Sequence, residues 1–144
     1  MDRGQRFVQY ALKIGAFQFF EEGVHLKSRR LSPYILNSAL FNTGESLTVL
    51  AESYAEAITP KLVLDCDGIF GPPYKGTLLV GPIVMAIYAK YGRPLNFASF
   101  RKEAKEHGEG GVVIGGDLSD QKVVIVDDAM TTGSSLVTAM EIVE

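Results

Sequence analysis

The sequence predicts an α/β fold, a mostly parallel sheet flanked by helices, with a small N-terminal hood before it. Three observations carry this. From residue 62 onward, strand-like and helix-like segments alternate, the pattern of successive βαβ units. Val123, Val124, Ile125 and Val126 are apolar on both faces, as expected of a central strand covered by helices on either side. The 144 residues give room for one compact domain, and 47% hydrophobic against 22% charged residues is the balance of a globular chain with its own core. That balance excludes a disordered tail, a fibrous rod and a coiled coil.

The elements follow in order. Residues 2–15 read as an amphipathic helix, with Phe7, Tyr10, Ala11 and Ile14 on one face and Gly15 ending it. AFQFFEE (16–22) and VHLKS (24–28) read as two short strands around Gly23, and Ser32-Pro33 begins a turn or an edge segment. Asn42 and Glu45 have the spacing of a capping box and open a helix to about residue 58. Its stripe is Leu47, Leu50, Ala51, Tyr54 and Ile58, and Pro60 stops it. Then come a strand over 62–70, a helix over 74–91 closed by Gly92 in a left-handed turn, strands over 95–100 and 122–127, and a helix over 134–144. One domain spans 1–144, with the hood in about 1–40 and the α/β core in about 41–144. The last helix carries no glycine, asparagine or proline stop. A central strand so near the end calls for more strands after it, so the chain reads as lacking a C-terminal part.

Composition narrows the function. A single cysteine, Cys66, excludes a disulfide framework and a multi-cysteine zinc site, and fits a reducing, cytoplasmic compartment. No apolar run is long enough for a membrane helix, and the N-terminus has no signal-peptide core. The net charge of −3 argues against nucleic acid as a partner. Basic residues cluster at 27–30 and 101–107, which on an acidic chain suggests small anions such as phosphates or carboxylates. Cys66 and His25 read as structural. Asp65 and Asp67 flank Cys66 and read as loop-solvating carboxylates rather than metal ligands.

The chemistry concentrates in VVIVDDAMTTGSS (123–135). An apolar strand ends in two adjacent carboxylates, Asp127 and Asp128, and a loop of small hydroxyl residues and glycine leads into a helix. Ligands of open α/β sheets bind beyond the carboxyl ends of strands. A helix N-terminus offers free backbone N–H groups and a positive dipole end to a phosphate. Gly133 allows close backbone approach, and Thr131, Thr132, Ser134 and Ser135 add hydroxyl donors. Two carboxylates repel phosphate but accept hydrogen bonds from ribose hydroxyls, directly or through a metal ion. A carboxylate pair beside a phosphate cradle therefore indicates a sugar phosphate. Neither a Walker A loop nor a GxGxxG fingerprint is present.

This segment resembles the signature of the type I phosphoribosyltransferases. HLKSRRLSPYILN (25–37), FGPPYKG (70–76) and FRKEAKEHGEGG (100–111), in that order, narrow the resemblance to the orotate phosphoribosyltransferases over essentially the whole chain. The resemblance implies transfer of a phosphoribosyl group from 5-phosphoribosyl 1-diphosphate (PRPP) to orotate, releasing pyrophosphate, with Mg²⁺ as cofactor. It assigns Asp127, Asp128, Ala129, Met130, Thr131, Thr132, Gly133, Ser134 and Ser135 to the phosphoribosyl group. The acidic pair takes the ribose hydroxyls and Mg²⁺-linked contacts, and residues 131–135 take the 5′-phosphate. Tyr74 and Lys75 fall to contacts with PRPP, Lys75 suited to meet a phosphate.

Arg101, Lys102, Lys105 and His107 place four potential cations in seven positions, followed by Gly108, Gly110 and Gly111. A mobile cationic loop of this kind closes over pyrophosphate and excludes water. The resemblance makes Lys105 and His107 catalytic beside Asp127 and Asp128, and has the 101–111 loop reach a neighbouring subunit's site, which implies a homodimer. His107 serves either as an acid or as a compensating charge. Lys27 matches the family's base-site lysine, suited to the orotate carboxylate. Ile35 and Leu36 stand where the family often has two aromatic residues, and aliphatic side chains cover a ring without stacking on it. Family members continue past residue 144 with an arginine that helps hold orotate, and no residue here takes that place. Two other readings keep the same phosphate loop: a phosphoribosyltransferase for another base, and a non-catalytic PRPP-binding regulator.

Overall fold

The computed structural model describes residues 2–26, 28–58, 62, 65–105, 111–130 and 132–143, with the backbone alone at 102, 104, 105 and 111. Helix α1 (Arg3–Lys13) opens where the Asp2 amide donates to Gln5 Oε1 at 3.1 Å, and it ends before Gly15, whose φ of 74° no branched residue would favour. Its apolar face packs through Phe7 onto Phe41, the rings stacked 5.8 Å apart.

Strands β1 (Phe17–His25) and β2 (Leu31–Leu36) form an antiparallel two-stranded sheet, the hood. The sequence placed a strand break at Gly23 and a turn or edge segment at Ser32-Pro33. Instead of breaking, β1 runs through Gly23, and the reversal lies where the Leu26 amide donates to the Arg30 carbonyl at 3.0 Å; Ser32 and Pro33 lie in β2, an edge strand of the two-stranded sheet, the second of those alternatives. The positive φ of Gly23 makes an irregularity in the ladder between Phe19 and Val24 rather than a reversal. A short 3-10 turn, Ser38–Leu40, leads out of the hood.

Helix α2 (Gly44–Ala57) is capped one residue later than the sequence suggested. Thr43 and Ser46 exchange the two capping hydrogen bonds, at 3.0 and 3.2 Å, in place of Asn42 and Glu45. This register buries Ser46, Leu50, Ala51 and Ala55, and leaves Glu45 in the first turn, where the helix dipole favours a carboxylate.

The core sheet has the order β5-β4-β3-β6, with β3 Gly68–Gly71, β4 Asn96–Lys105, β5 Gly111–Gly115 and β6 Val123–Ile125. The pairs β3/β4 and β3/β6 are parallel and β4/β5 is antiparallel, so the α/β class and mostly parallel sheet are as expected. Three details differ. The expected strand over 62–70 shortens to β3, because the Cys66 amide donates to the Leu62 carbonyl at 3.0 Å in a helical turn. The strand expected to end at 100 runs on to Lys105, because Gly111–Gly115 folds back along it as an unanticipated partner. The expected central strand β6 is at the sheet edge among the described strands, and β3, buried along its whole length, is central. The apolar pattern of β6 reflects cover on both faces: Val124 packs on the cluster beneath α2, and Val123 and Ile125 on the one shared with Ala139.

Helix α3 (Lys75–Tyr91) ends at Gly92 with φ 65°, as the sequence indicated, and helix α4 (Ser134–Val143) follows β6. Among the described residues, no helix is long and apolar enough to cross a membrane. The parallel strands β3 and β6 are neighbours, so the loops after both open at one rim of the sheet.

Candidate active site

The acidic pair emerges where β6 stops. The Val126 amide still donates to the Phe70 carbonyl at 2.8 Å, so Asp127 and Asp128 leave the sheet directly beside the end of β3. Three segments hold them. The Tyr54 hydroxyl, from α2, donates to the Asp127 backbone carbonyl at 2.6 Å. The Ser38 hydroxyl, from the 3-10 turn, donates to Asp128 Oδ2 at 2.6 Å. Lys75 Nζ, at the start of α3, lies 2.8 Å from the same oxygen and donates to Ser38 Oγ at 2.9 Å. The two carboxylates therefore titrate apart. Burial pushes Asp127 up, against the Asp128 amide bonded to it. Burial pushes Asp128 up too, but the hydrogen bonds from Lys75 and Ser38 outweigh it and hold the group below the usual carboxylate range.

Next to the pair lies a cup of about 240 Å³, lined by Ile125, Asp127, Ala129, Met130, Gly133, Ser134, Ser135 and Leu136. Gly133 has φ 81° and its carbonyl accepts the Val137 amide at 3.0 Å, so it caps α4 and turns the first free amides of that helix toward the loop. Thr132 Oγ1 donates to Ser134 Oγ at 3.3 Å. Of the phosphate loop, Thr131 lies outside the described residues.

FGPPYKG is the turn between β3 and α3. A Cβ at Gly71 would run into the backbone of Gly76, and one at Gly76 into Pro72, so both glycines are needed for the chain to double back this closely. The buried Ser99 hydroxyl donates to the Gly71 carbonyl at 2.6 Å and meets Thr77 Oγ1 at 2.5 Å, fixing the turn from β4. The Pro73–Tyr74 peptide is cis. Tyr74 is exposed, and Lys75 points to the acidic pair.

Ile35 and Leu36 are adjacent on β2. Neighbouring strand residues face opposite ways. Leu36 packs on the core and lines an apolar cavity of about 290 Å³ with Phe7, Phe41, Leu50, Ser38, Tyr54 and Asp128; Ile35 is not among its lining residues. Arg101 and the backbone of Lys102 and Lys105 belong to β4, so the cationic segment begins as a strand rather than as the loop expected over 101–111. His107 and Lys27 lie outside the described residues. Asp65 and Asp67 hold Lys122, through its ammonium at 3.1 Å and its amide at 3.0 Å. Cys66 is buried, and burial pushes its thiol up, as for a small core side chain.

Two residues in this geometry went unassigned in the sequence. Tyr54 fell into the apolar stripe of α2, and Ser38 carried no pattern at all. A hydroxyl at a loop or stripe position has no periodic signature; only the bond it makes reveals it.

A carboxylate pair at a strand end, next to a hydroxyl-lined helix N-terminus on a parallel sheet, is chemically suited to a phosphorylated sugar in an α/β protein. A family model described as a phosphoribosyl transferase domain matches residues 48–144, and the chain belongs to that family. An orotate phosphoribosyltransferase from Xanthomonas euvesicatoria pv. vesicatoria is 46% identical over 142 residues, 99% of this chain and 63% of that protein. One from Kluyveromyces lactis is 44% identical over 146 residues, with the same two shares. The crystal structure of orotate phosphoribosyltransferase from Francisella tularensis superposes with a TM-score of 0.79 at 36% identity, covering 98% of this chain and 63% of that one. The chain thus spans just under two thirds of the length of these relatives.

Proposed function

We propose that the protein is an orotate phosphoribosyltransferase, a cytoplasmic pentosyltransferase of pyrimidine nucleotide synthesis. It joins orotate to PRPP and releases orotidine 5′-monophosphate and pyrophosphate. The observation that carries this is the acidic pair and the hydroxyl cup opening side by side at one rim, with Asp127 itself part of the cup's lining. The curated relatives named above support the choice of orotate.

In this reading Asp127 and Asp128 accept the ribose hydroxyls. The loop of Ala129, Met130, Thr131, Thr132, Gly133, Ser134 and Ser135 seats the 5′-phosphate. Lys75 and Tyr74 meet the diphosphate, and Arg101, Lys102, Lys105 and His107 close over it as charge builds on the leaving group. Lys27 faces the orotate carboxylate and Leu36 covers the ring. Catalysis is positioning and electrostatics, with no covalent nucleophile.

The donor set suits Mg²⁺. Among the described residues no group of three or more His, Cys, Asp or Glu is arranged for a metal, while Asp127 and Asp128 offer hard oxygens. The ion would be held by substrate oxygens together with these carboxylates. When bound it neutralises charge on the diphosphate.

A homodimer completes the proposal. On α3, Leu78, Met85 and Tyr88 are 71%, 72% and 60% exposed, with open space at Gly81 between them. Spaced 7 and 3 residues apart, they fall on one face of the helix and make one apolar stripe suited to the same stripe of a second copy.

The test is pyrophosphate release with PRPP and Mg²⁺, offering orotate or adenine. Orotate-dependent release is expected, with Lys105→Ala lowering turnover more than substrate binding. Release with adenine alone overturns the substrate, and PRPP binding without release overturns the enzyme.

A further inference from the structure

We propose that Ser38 is a positioning residue for Asp128: its hydroxyl keeps that carboxylate bonded in place when Lys75 turns away to the diphosphate of PRPP. This rests on the PRPP reading above. In the free protein the Ser38 hydroxyl, Lys75 Nζ and Asp128 Oδ2 form a closed triangle with sides of 2.6, 2.9 and 2.8 Å. Two groups assigned to one ligand thus neutralise each other before it arrives. Capture of PRPP has to break the Lys75–Asp128 pair.

The two ends of that pair are unequal. The Lys75 side chain is 56% exposed, long and free to swing, while that of Asp128 is 16% exposed. When Lys75 leaves, Oδ2 loses one of its two donors within a mostly buried setting. Ser38 is short and sits on a fixed turn, where Asn37 Oδ1 accepts the Ala39 amide at 3.2 Å and the Phe41 amide reaches the Ser38 carbonyl at 3.1 Å. Its hydroxyl stays, and Oδ2 remains bonded and aimed at the ribose. Ser38 also lies outside residues 48–144 matched by the family model, so it is the N-terminal segment that supplies this support.

The experiment is calorimetric titration of PRPP with Mg²⁺ into the wild-type chain, Ser38→Ala and Ser38→Thr, with thermal unfolding of each. Ser38→Ala should bind about tenfold more weakly, the loss of one hydrogen bond to a carboxylate. Ser38→Thr, which keeps the hydroxyl, should bind like the wild type, and both variants should fold and keep one cooperative unfolding transition, Ser38→Ala at a slightly lower temperature. Equal affinity of Ser38→Ala and wild type overturns this proposal alone. So does a Ser38→Thr as weak as Ser38→Ala, or a Ser38→Ala that fails to fold, because the side chain would then serve stability. A wild-type chain that takes up no PRPP overturns the reading beneath it as well.

Discussion

Tyr54→Phe tests the tie between α2 and the acidic turn. The substitution keeps the ring and removes the 2.6 Å bond from the hydroxyl to the Asp127 carbonyl. A hydrogen bond of this kind contributes about 1 kcal/mol, and leaving the part-buried carbonyl without its donor sets the loss at roughly 1–3 kcal/mol. At this chain length that lowers Tm by about 3–8 °C. The same bond has a pH signature. Burial, then the charges of Asp128 and Asp127, push the Tyr54 hydroxyl from 10.0 up to about 12. The fold thus prefers the neutral phenol. Its contribution is fully present below the ordinary value and is lost as pH rises from about 10 to about 12. Unfolding of wild type and variant across this range, with phenolate absorbance followed in parallel, is the assay. The variant should be less stable at neutral pH, should lose less stability in alkali, and should lack the late phenol phase near pH 12. A variant that melts with the wild type and keeps that late phase refutes the reasoning.

Two further outcomes follow from packing. Gly71→Ala should cost more than about 2 kcal/mol and abolish pyrophosphate release, because its Cβ meets the Gly76 backbone, whereas Gly81→Ala, which points into open space, should fold normally; chemical denaturation of the two decides it, and equal stability contradicts the turn geometry. Met85→Glu, placing a charge in the apolar stripe of α3, should convert a dimer to a monomer by light scattering, and an unchanged mass removes that stripe from the interface.

The sequence showed the parts of the site that are contiguous. A strand apolar on both faces, two carboxylates and a hydroxyl-rich turn all fall within 123–135, so their order along the chain is their order in space. The turn at 70–76 was equally visible, since two glycines and two prolines leave few backbone paths. What stayed hidden depends on distant partners. Ser38 meets Asp128 across 90 residues and Tyr54 meets Asp127 across 73, and neither bond leaves a local pattern. β5 was hidden for a similar reason: Val112, Val113 and Ile114 between glycines are a strand only because β4 runs on to receive them. The cap of α2 moved by one residue because burial of Ser46, not spacing alone, chose the register.

The clamp on the acidic turn also orders events during synthesis. The strand end and the cup after it belong to one short stretch and can form by local closure, but the hydroxyls that grip the Asp128 carboxylate and the Asp127 carbonyl sit far upstream. Contacts between such remote segments form late, since a long loop must close first. On a ribosome, the turn bearing Ser38 leaves the exit tunnel early and waits for the segment that will dock against it. The acidic turn is then gripped only once segments 90 and 73 residues apart along the polypeptide have met.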